Sequence, residues 1–186
     1  MPKIADIEDT PNPNALKFTL HEPLTVGITH SYENAEQAKD NELATALFAI
    51  NHVSNVFYVD KWITVTQDGS ADWPVLCRLV AVPIRAALAA EASAAATVAS
   101  SSEYYNLLSQ ENKLRFDAIN ALLDEEIRPH LQNDGGDLNV INLIDNKLII
   151  HYQGACGSCP SSTAGTLSAI ENQIRTIEPD IEVIAV

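Results

Sequence analysis

The chain has 186 residues, 46% of them hydrophobic, enough for a packed core in one ordinary domain or two small ones. Eleven Lys and Arg stand against 25 Asp and Glu, a net charge of −14 with acid in excess in both halves of the chain. That balance speaks against nucleic acid and against anionic membrane surfaces, both of which need Lys and Arg to neutralise phosphate, and it favours solubility and basic partners.

In chain order, Thr10-Pro11-Asn12-Pro13-Asn14 is a rigid, turn-rich segment. Leu16, Phe18 and Leu20 then alternate with Lys17 and Thr19, the period of a half-buried strand. The spacing of Leu43, Ala46, Leu47 and Ile50 predicts a helix over 35–50, with Asn34 and Gln37 in the pattern of a capping box. Two β-rich runs, Val53–Val59 and Trp62–Thr66, are expected to form a hairpin through Asp60-Lys61. Asp72-Trp73-Pro74 reads as a helix start, continued by Leu76, Leu79, Val80 and Ala87, with Pro83 expected to kink or divide the helix. Residues 86–102 are mostly Ala and end in three serines. They read as a frayed helix running into a linker, and this composition shift marks the domain boundary.

In the second half Phe116, Ile119, Leu123, Ile127 and Leu131 line one face of a helix predicted from about Ser109 to Leu131. Asp134-Gly135-Gly136-Asp137 is a tight turn, and the reading as a turn needing positive φ outweighs an acidic metal or phosphate loop. Two strands follow, Leu138–Ile144 and Leu148–Gln153, joined by Asp145-Asn146, with Leu148, Ile150 and Tyr152 on one face. After a short loop, Ala164, Leu167, Ile170, Ile174 and Ile177 form the stripe of a helix from Ser161 to about Ile177, and Ile181–Val186 supply a last short strand. The expected fold class is α+β, with two small α/β-layered domains. The second has the order α-β-β-α-β, with the loop between its second strand and second helix.

That loop, Gly154-Ala155-Cys156-Gly157-Ser158-Cys159-Pro160-Ser161-Ser162, holds two of the three cysteines. A Cys-x-x-Cys turn aims two thiolates at one point, for a soft metal or for a reversible disulfide. Its place before a helix puts the thiolates near a positive helix N-terminus, and Gly154 and Gly157 are expected to clear space beside the sulfurs. Two thiolates are half of a four-cysteine iron–sulfur site, and no second Cys-x-x-Cys exists. Four readings stand at this point. One is an accidental or structural pair. A thioredoxin-type dithiol lacks an aromatic before the first Cys and a surrounding βαβ pattern. A zinc site completed by His130 and His151 lacks paired His spacing. The fourth is a cluster shared between two chains, where a two-fold axis brings four thiolates together. Cys77, in an apolar helical run, reads as packing. Trp62 and Trp73 read as packing residues and Asp124-Glu125-Glu126 as a solvated helix face. An odd, small number of cysteines, no apolar run of about 18–20 residues and no signal-like start point to a reducing cytoplasm, with a mitochondrial matrix as the alternative.

The C-terminal half resembles the NifU-like (Nfu) domain of iron–sulfur cluster carriers. Arg128-Pro129, the Asp134–Asp137 turn and Gly154–Thr163 carry that resemblance, in order and at the family's spacing. Thr10–Phe18 and the Val53–Thr66 hairpin resemble the N-terminal domain that accompanies it in the mitochondrial and α-proteobacterial type. The resemblance implies an N-terminal domain over 1–88, a linker over 89–108 and a cluster-binding domain over 109–186. It also implies a non-enzymatic carrier that binds a [4Fe–4S] cluster, with [2Fe–2S] as the other form, through Cys156 and Cys159 of each subunit of a homodimer. An upstream assembly scaffold would be its donor and apo iron–sulfur proteins its acceptors. Against it stands a dithiol redox protein.

Overall fold

The computed structural model describes residues 2–87, 105–106, 108–157 and 163–186, with the side chains of 163 and 164 excepted. The chain divides into two compact units, Met1–Ala94 and Ala95–Val186, both mixing helices and strands. The Ala/Ser-rich linker and its frayed helix lie almost wholly outside the described residues.

The first unit is a five-stranded antiparallel sheet under two helices. Its strands are β1 (Ile4–Asp9), β2 (Ala15–Leu20), β3 (His30–Tyr32), β4 (Val53–Val59) and β5 (Trp62–Gln67), in the spatial order β1-β2-β5-β4-β3. The alternation in β2 buries Leu16, Phe18 and Leu20, which join Val56 and Tyr58 of β4 and Ile63 and Val65 of β5 in one core. The other face carries Phe57 against Trp62, with the Lys17 ammonium over the indole. The β4–β5 hairpin turns through Asp60 at φ 47°, as expected.

Helix α1 is shorter than its predicted span and covers Glu42–Phe48. The Asn34 side chain does accept from Gln37 N (3.0 Å), and Gln37 reaches back to Glu33 N (2.8 Å), but this pair closes a run of turns over 35–40. The helix is capped instead by Asn41, whose Oδ1 accepts from Ala44 N at 2.8 Å, and its buried residues are Ala44 and Leu47 while Ala46 is exposed. Helix α2 (Trp73–Ala86) runs through Pro83 undivided. The proline sits one turn from the C-terminus, so few helical residues follow the bond its missing N–H forfeits. Leu76, Val80, Ala81 and Ile84 are buried, whereas Leu79 is exposed.

The second unit is a three-stranded sheet, β6 (Gly136–Ile144), β7 (Lys147–Gly154) and β8 (Glu182–Ala185), in that order. The single predicted helix over 109–131 is three pieces. They are α3 (Gln110–Leu122), a π-helical turn (Leu123–Ile127) and α4 (Arg128–Asn133). The apolar stripe holds at Phe116, Ile119, Leu123 and Leu131, which are buried, while Ile127 is partly buried against the same core. Ser109 caps α3, accepting from Asn112 N at 3.3 Å. The β6–β7 hairpin turns through Asp145 at φ 52° and its inner face carries Leu138, Val140, Leu148, Ile150 and Tyr152. Helix α5 (Thr163–Ile174) contributes Ile170 and Ile174 to this core, and Ile177 falls beyond the helix and is exposed.

One expectation is overturned here. β8 pairs with β7 in parallel, through Leu148↔Val183 and Ile150↔Ala185. The Cys loop therefore opens a βαβ crossover, β7-loop-α5-β8. The last strand is only four residues long, so nothing in its own pattern reveals the direction in which it joins the sheet.

Candidate functional site

The site is built where the hairpin closes at its open end. Gly136 begins β6 directly opposite Gly154, the last residue of β7. Two backbone bonds fold the following loop over this end: Ala155 N donates to Gly135 O at 3.1 Å, and Gly157 N donates to Gly154 O at 3.3 Å. Gly135 at φ 80° and Gly154 at φ 64° take left-handed conformations that a side chain would strain. The Asp134–Asp137 turn and the Cys loop are thus one structure.

Cys156 sits at the centre of it, 7% exposed and part of the unit's core cluster. Its closest wall is Gly136: a β-carbon built there would lie 2.5 Å from Cys156 Sγ and 2.7 Å from Gln153 O. The glycine that clears space for the sulfur is therefore Gly136 of the turn. Gly154 serves the turn through its positive φ, and Gly157 serves a close approach, since a β-carbon on it would meet the Tyr152 carbonyl oxygen at 3.0 Å. The sulfur is also less open than a loop cysteine suggests, because Ala155 and Cys156 fold inward over the end of the core.

Cys159, Pro160 and the serines that were expected to cap the next helix lie outside the described residues. Among the described residues no cluster of three or more His, Cys, Asp or Glu side chains is arranged to hold a metal. Cys77 is half-buried against the first unit's core, and burial raises its thiol pKa, as a packing role requires.

Two polar residues of this hairpin, Asp137 and Tyr152, have surroundings that the sequence does not reveal. Asp137 follows the wall glycine and is buried, its Oδ2 accepting from Gln132 Nε2 (3.2 Å) and its Oδ1 from Leu138 N (2.8 Å). Arg128 Nε lies 3.7 Å from Asp137 Oδ1, and the same guanidinium reaches Asn120 Oδ1 (3.2 Å) and Asp124. Burial raises the Asp137 pKa above the usual carboxylate range, with the hydrogen bonds and Arg128 opposing. The Arg128–Asp137 pair ties α4 and the π-helical turn to the strand that walls the sulfur. Tyr152, on the core face of β7, is buried, and among the described residues its hydroxyl makes no hydrogen bond. Burial first, and then the negative charge of Cys156, push its pKa up to about 12. Period-2 alternation put Tyr152 on the inner face, but nothing in the sequence revealed that its oxygen would be left alone there.

Residues 4–91 match the family model described as "Scaffold protein Nfu/NifU N terminal", and residues 119–184 match the NifU-like domain. A human protein named "NFU1 iron-sulfur cluster scaffold homolog, mitochondrial" is 33% identical over 176 residues, spanning 94% of this chain and 68% of the relative. The chain belongs to the Nfu family. A Drosophila persimilis protein of the same name is 30% identical, over 94% of this chain and 62% of its own length. The chain thus spans about three fifths to two thirds of these relatives. A crystal structure of a Staphylococcus aureus protein is similar over 44% of this chain, at 24% identity and a TM-score of 0.39. The solution structure of a NifU-like protein from Saccharomyces cerevisiae covers 42% of the chain, at 23% identity and a TM-score of 0.39.

Proposed function

We propose that this chain is an iron–sulfur cluster carrier, in which Cys156 and Cys159 bind the cluster as cargo and release it to other proteins. The observation that carries this reading is the packing of Cys156 Sγ against Gly136, which joins the glycine turn and the Cys loop in one structure. Family membership adds to it, since the human and fly relatives are named iron–sulfur cluster scaffolds. With two cysteines in the motif, a four-thiolate site is completed by a second copy, and a [4Fe–4S] cluster at the seam of a homodimer is the cargo that fits, [2Fe–2S] being the smaller alternative.

Transfer follows as ligand exchange. A thiolate of the acceptor bonds to a cluster iron, the Fe–S bond to Cys156 or Cys159 breaks, and the freed thiolate takes up a proton. No change in the oxidation state of iron is needed. Once released, Cys156 has a place to go: as a neutral thiol it packs like a small apolar group among the core residues around it. The roles divide as 109–186 for the cluster, 1–88 for partner recognition and 89–108 as the tether. An upstream assembly scaffold supplies the cluster, apo iron–sulfur proteins receive it, and no catalytic residue is required. The relatives' names favour a mitochondrial matrix, with a bacterial cytoplasm as the other compartment where such clusters are built.

The βαβ crossover after the Cys loop favours one second reading, a dithiol redox protein, because such dithiols also sit between a strand and a crossover helix. Transfer under competition separates the two. Cluster-loaded protein is mixed anaerobically with an apo iron–sulfur enzyme and excess chelator. A carrier restores the enzyme's activity in spite of the chelator, whereas iron captured entirely by the chelator refutes carriage.

A further inference from the structure

Packing does not explain the Tyr152 hydroxyl. Its ring belongs in the core beside Leu138, its partner across the ladder, and a leucine or phenylalanine would fill that space without a polar atom. A buried hydroxyl without a partner costs about 1–3 kcal/mol, and such groups in folded proteins call for a reason. The reason lies in what surrounds it. Tyr152 and Cys156 share one core cluster, and the loop carrying Cys156 folds back onto the Tyr152 carbonyl.

We propose that the Tyr152 hydroxyl is a positioning donor for sulfur at Cys156. It is unpaired in the metal-free chain and donates a hydrogen bond when Cys156 is a thiolate bound to metal. Hydrogen bonds to charged acceptors are about twice as strong as neutral ones, so the group that weakens the empty site strengthens the loaded one. No proton leaves the phenol. Hydrogen bonds to cluster sulfurs are also among the factors that set reduction potential, by drawing electron density from sulfur.

This inference rests on the carrier reading, and Tyr152→Phe tests it in two arms that can fail separately. In the metal-free protein, the variant should melt a few degrees higher than the parent, because one uncompensated polar atom is removed. Cobalt(II) is then added anaerobically to both proteins as a probe of the thiolates alone. Loss of the donor should move the thiolate-to-cobalt charge-transfer band to lower energy and weaken cobalt binding about tenfold. In the second arm both proteins are reconstituted with iron and sulfide, and the variant's cluster should have a more negative reduction potential. Cobalt bands at identical energy, or no cobalt bound through these cysteines, would overturn the role of Tyr152 whatever the cluster does. Cobalt bands that differ between parent and variant as expected, in a parent that takes up no iron–sulfur cluster, would refute the carrier reading and leave the donor standing.

Discussion

Gly136→Ala drives a methyl group against Cys156 Sγ. The β-carbon would be 2.5 Å from the sulfur, 2.7 Å from Gln153 O and 3.0 Å from Cys156 Cβ, against ordinary contacts of 3.4–4 Å. Rotating Cys156 away relieves only the first of these. The carbonyl of Gln153 belongs to the β6–β7 ladder, opposite Asp137, and cannot withdraw without opening the end of the hairpin. Overpacking of a well-filled core costs about 1–3 kcal/mol, and a backbone partner argues for the upper end of that range. For a unit of this size, each kcal/mol lowers the melting temperature by about 4–8 °C, so a loss of about 10–20 °C is expected. Gly165→Ala is the control: nothing lies within 4 Å of its added carbon, and alanine exceeds glycine in helix propensity by about 1 kcal/mol. The assay is thermal unfolding followed by circular dichroism, with hydrogen exchange across 136–154 to assign the transition, because two units need not unfold together. Gly136→Ala should unfold early and exchange fast there, while Gly165→Ala should match or exceed the parent. A Gly136→Ala protein that melts within about 2 °C of the parent and keeps its exchange protection would refute this packing of the site.

Three further outcomes follow from the same geometry. The raised pKa of Asp137 makes its contribution to stability fall as pH rises from the unfolded value, about 3.9, towards the folded one, since the unfolded chain gives up the proton first; denaturant titrations over that window should show the slope, and Asp137→Asn should flatten it. Arg115 joins three segments, with Nε and an η-nitrogen each 3.0 Å from Glu178 and the other η-nitrogen 3.0 Å from Asp145 O; Arg115→Ala should cost about 1–3 kcal/mol in chemical denaturation, and Arg115→Lys should recover little of it because lysine cannot span the fork. In the metal-free native chain Cys156 should react with iodoacetamide far more slowly than in guanidinium chloride, as mass spectrometry of the labelled peptides will show; equal rates would mean that the covered sulfur described here is not its resting position.

The parts of the fold legible from sequence are those that local chemistry dictates. The period-2 run through Leu16, Phe18 and Leu20 and the turns at Asp60 and Asp145 fall where expected, because alternation and left-handed turn residues are local properties. Strand β1, Ile-Ala-Asp-Ile-Glu-Asp, lies at a sheet edge and mixes apolar and acidic residues without strict alternation, and β3 has three residues, so neither carries a readable pattern. The π-helical turn is silent for the opposite reason: the stripe from Phe116 to Leu131 stays buried through it, and only the backbone bonds change. At the site, the Cys-x-x-Cys and glycine-turn motifs are visible in the chain, but their contact is not. That Gly136 walls Cys156, that Asp137 is buried against Arg128 and that the Tyr152 hydroxyl has no partner all depend on the closure of the β6–β7 hairpin and the helices around it.

The central claim is that Cys156 and Cys159 hold a cluster shared between two chains. Anaerobic reconstitution with iron and sulfide, read by Mössbauer and visible spectra with iron, sulfide and native mass determined on one sample, tests it most directly. The account predicts a [4Fe–4S] signal at half a cluster per chain on a dimer, lost when either cysteine becomes alanine. A metal-free monomer that cycles a disulfide between the same two residues would contradict it.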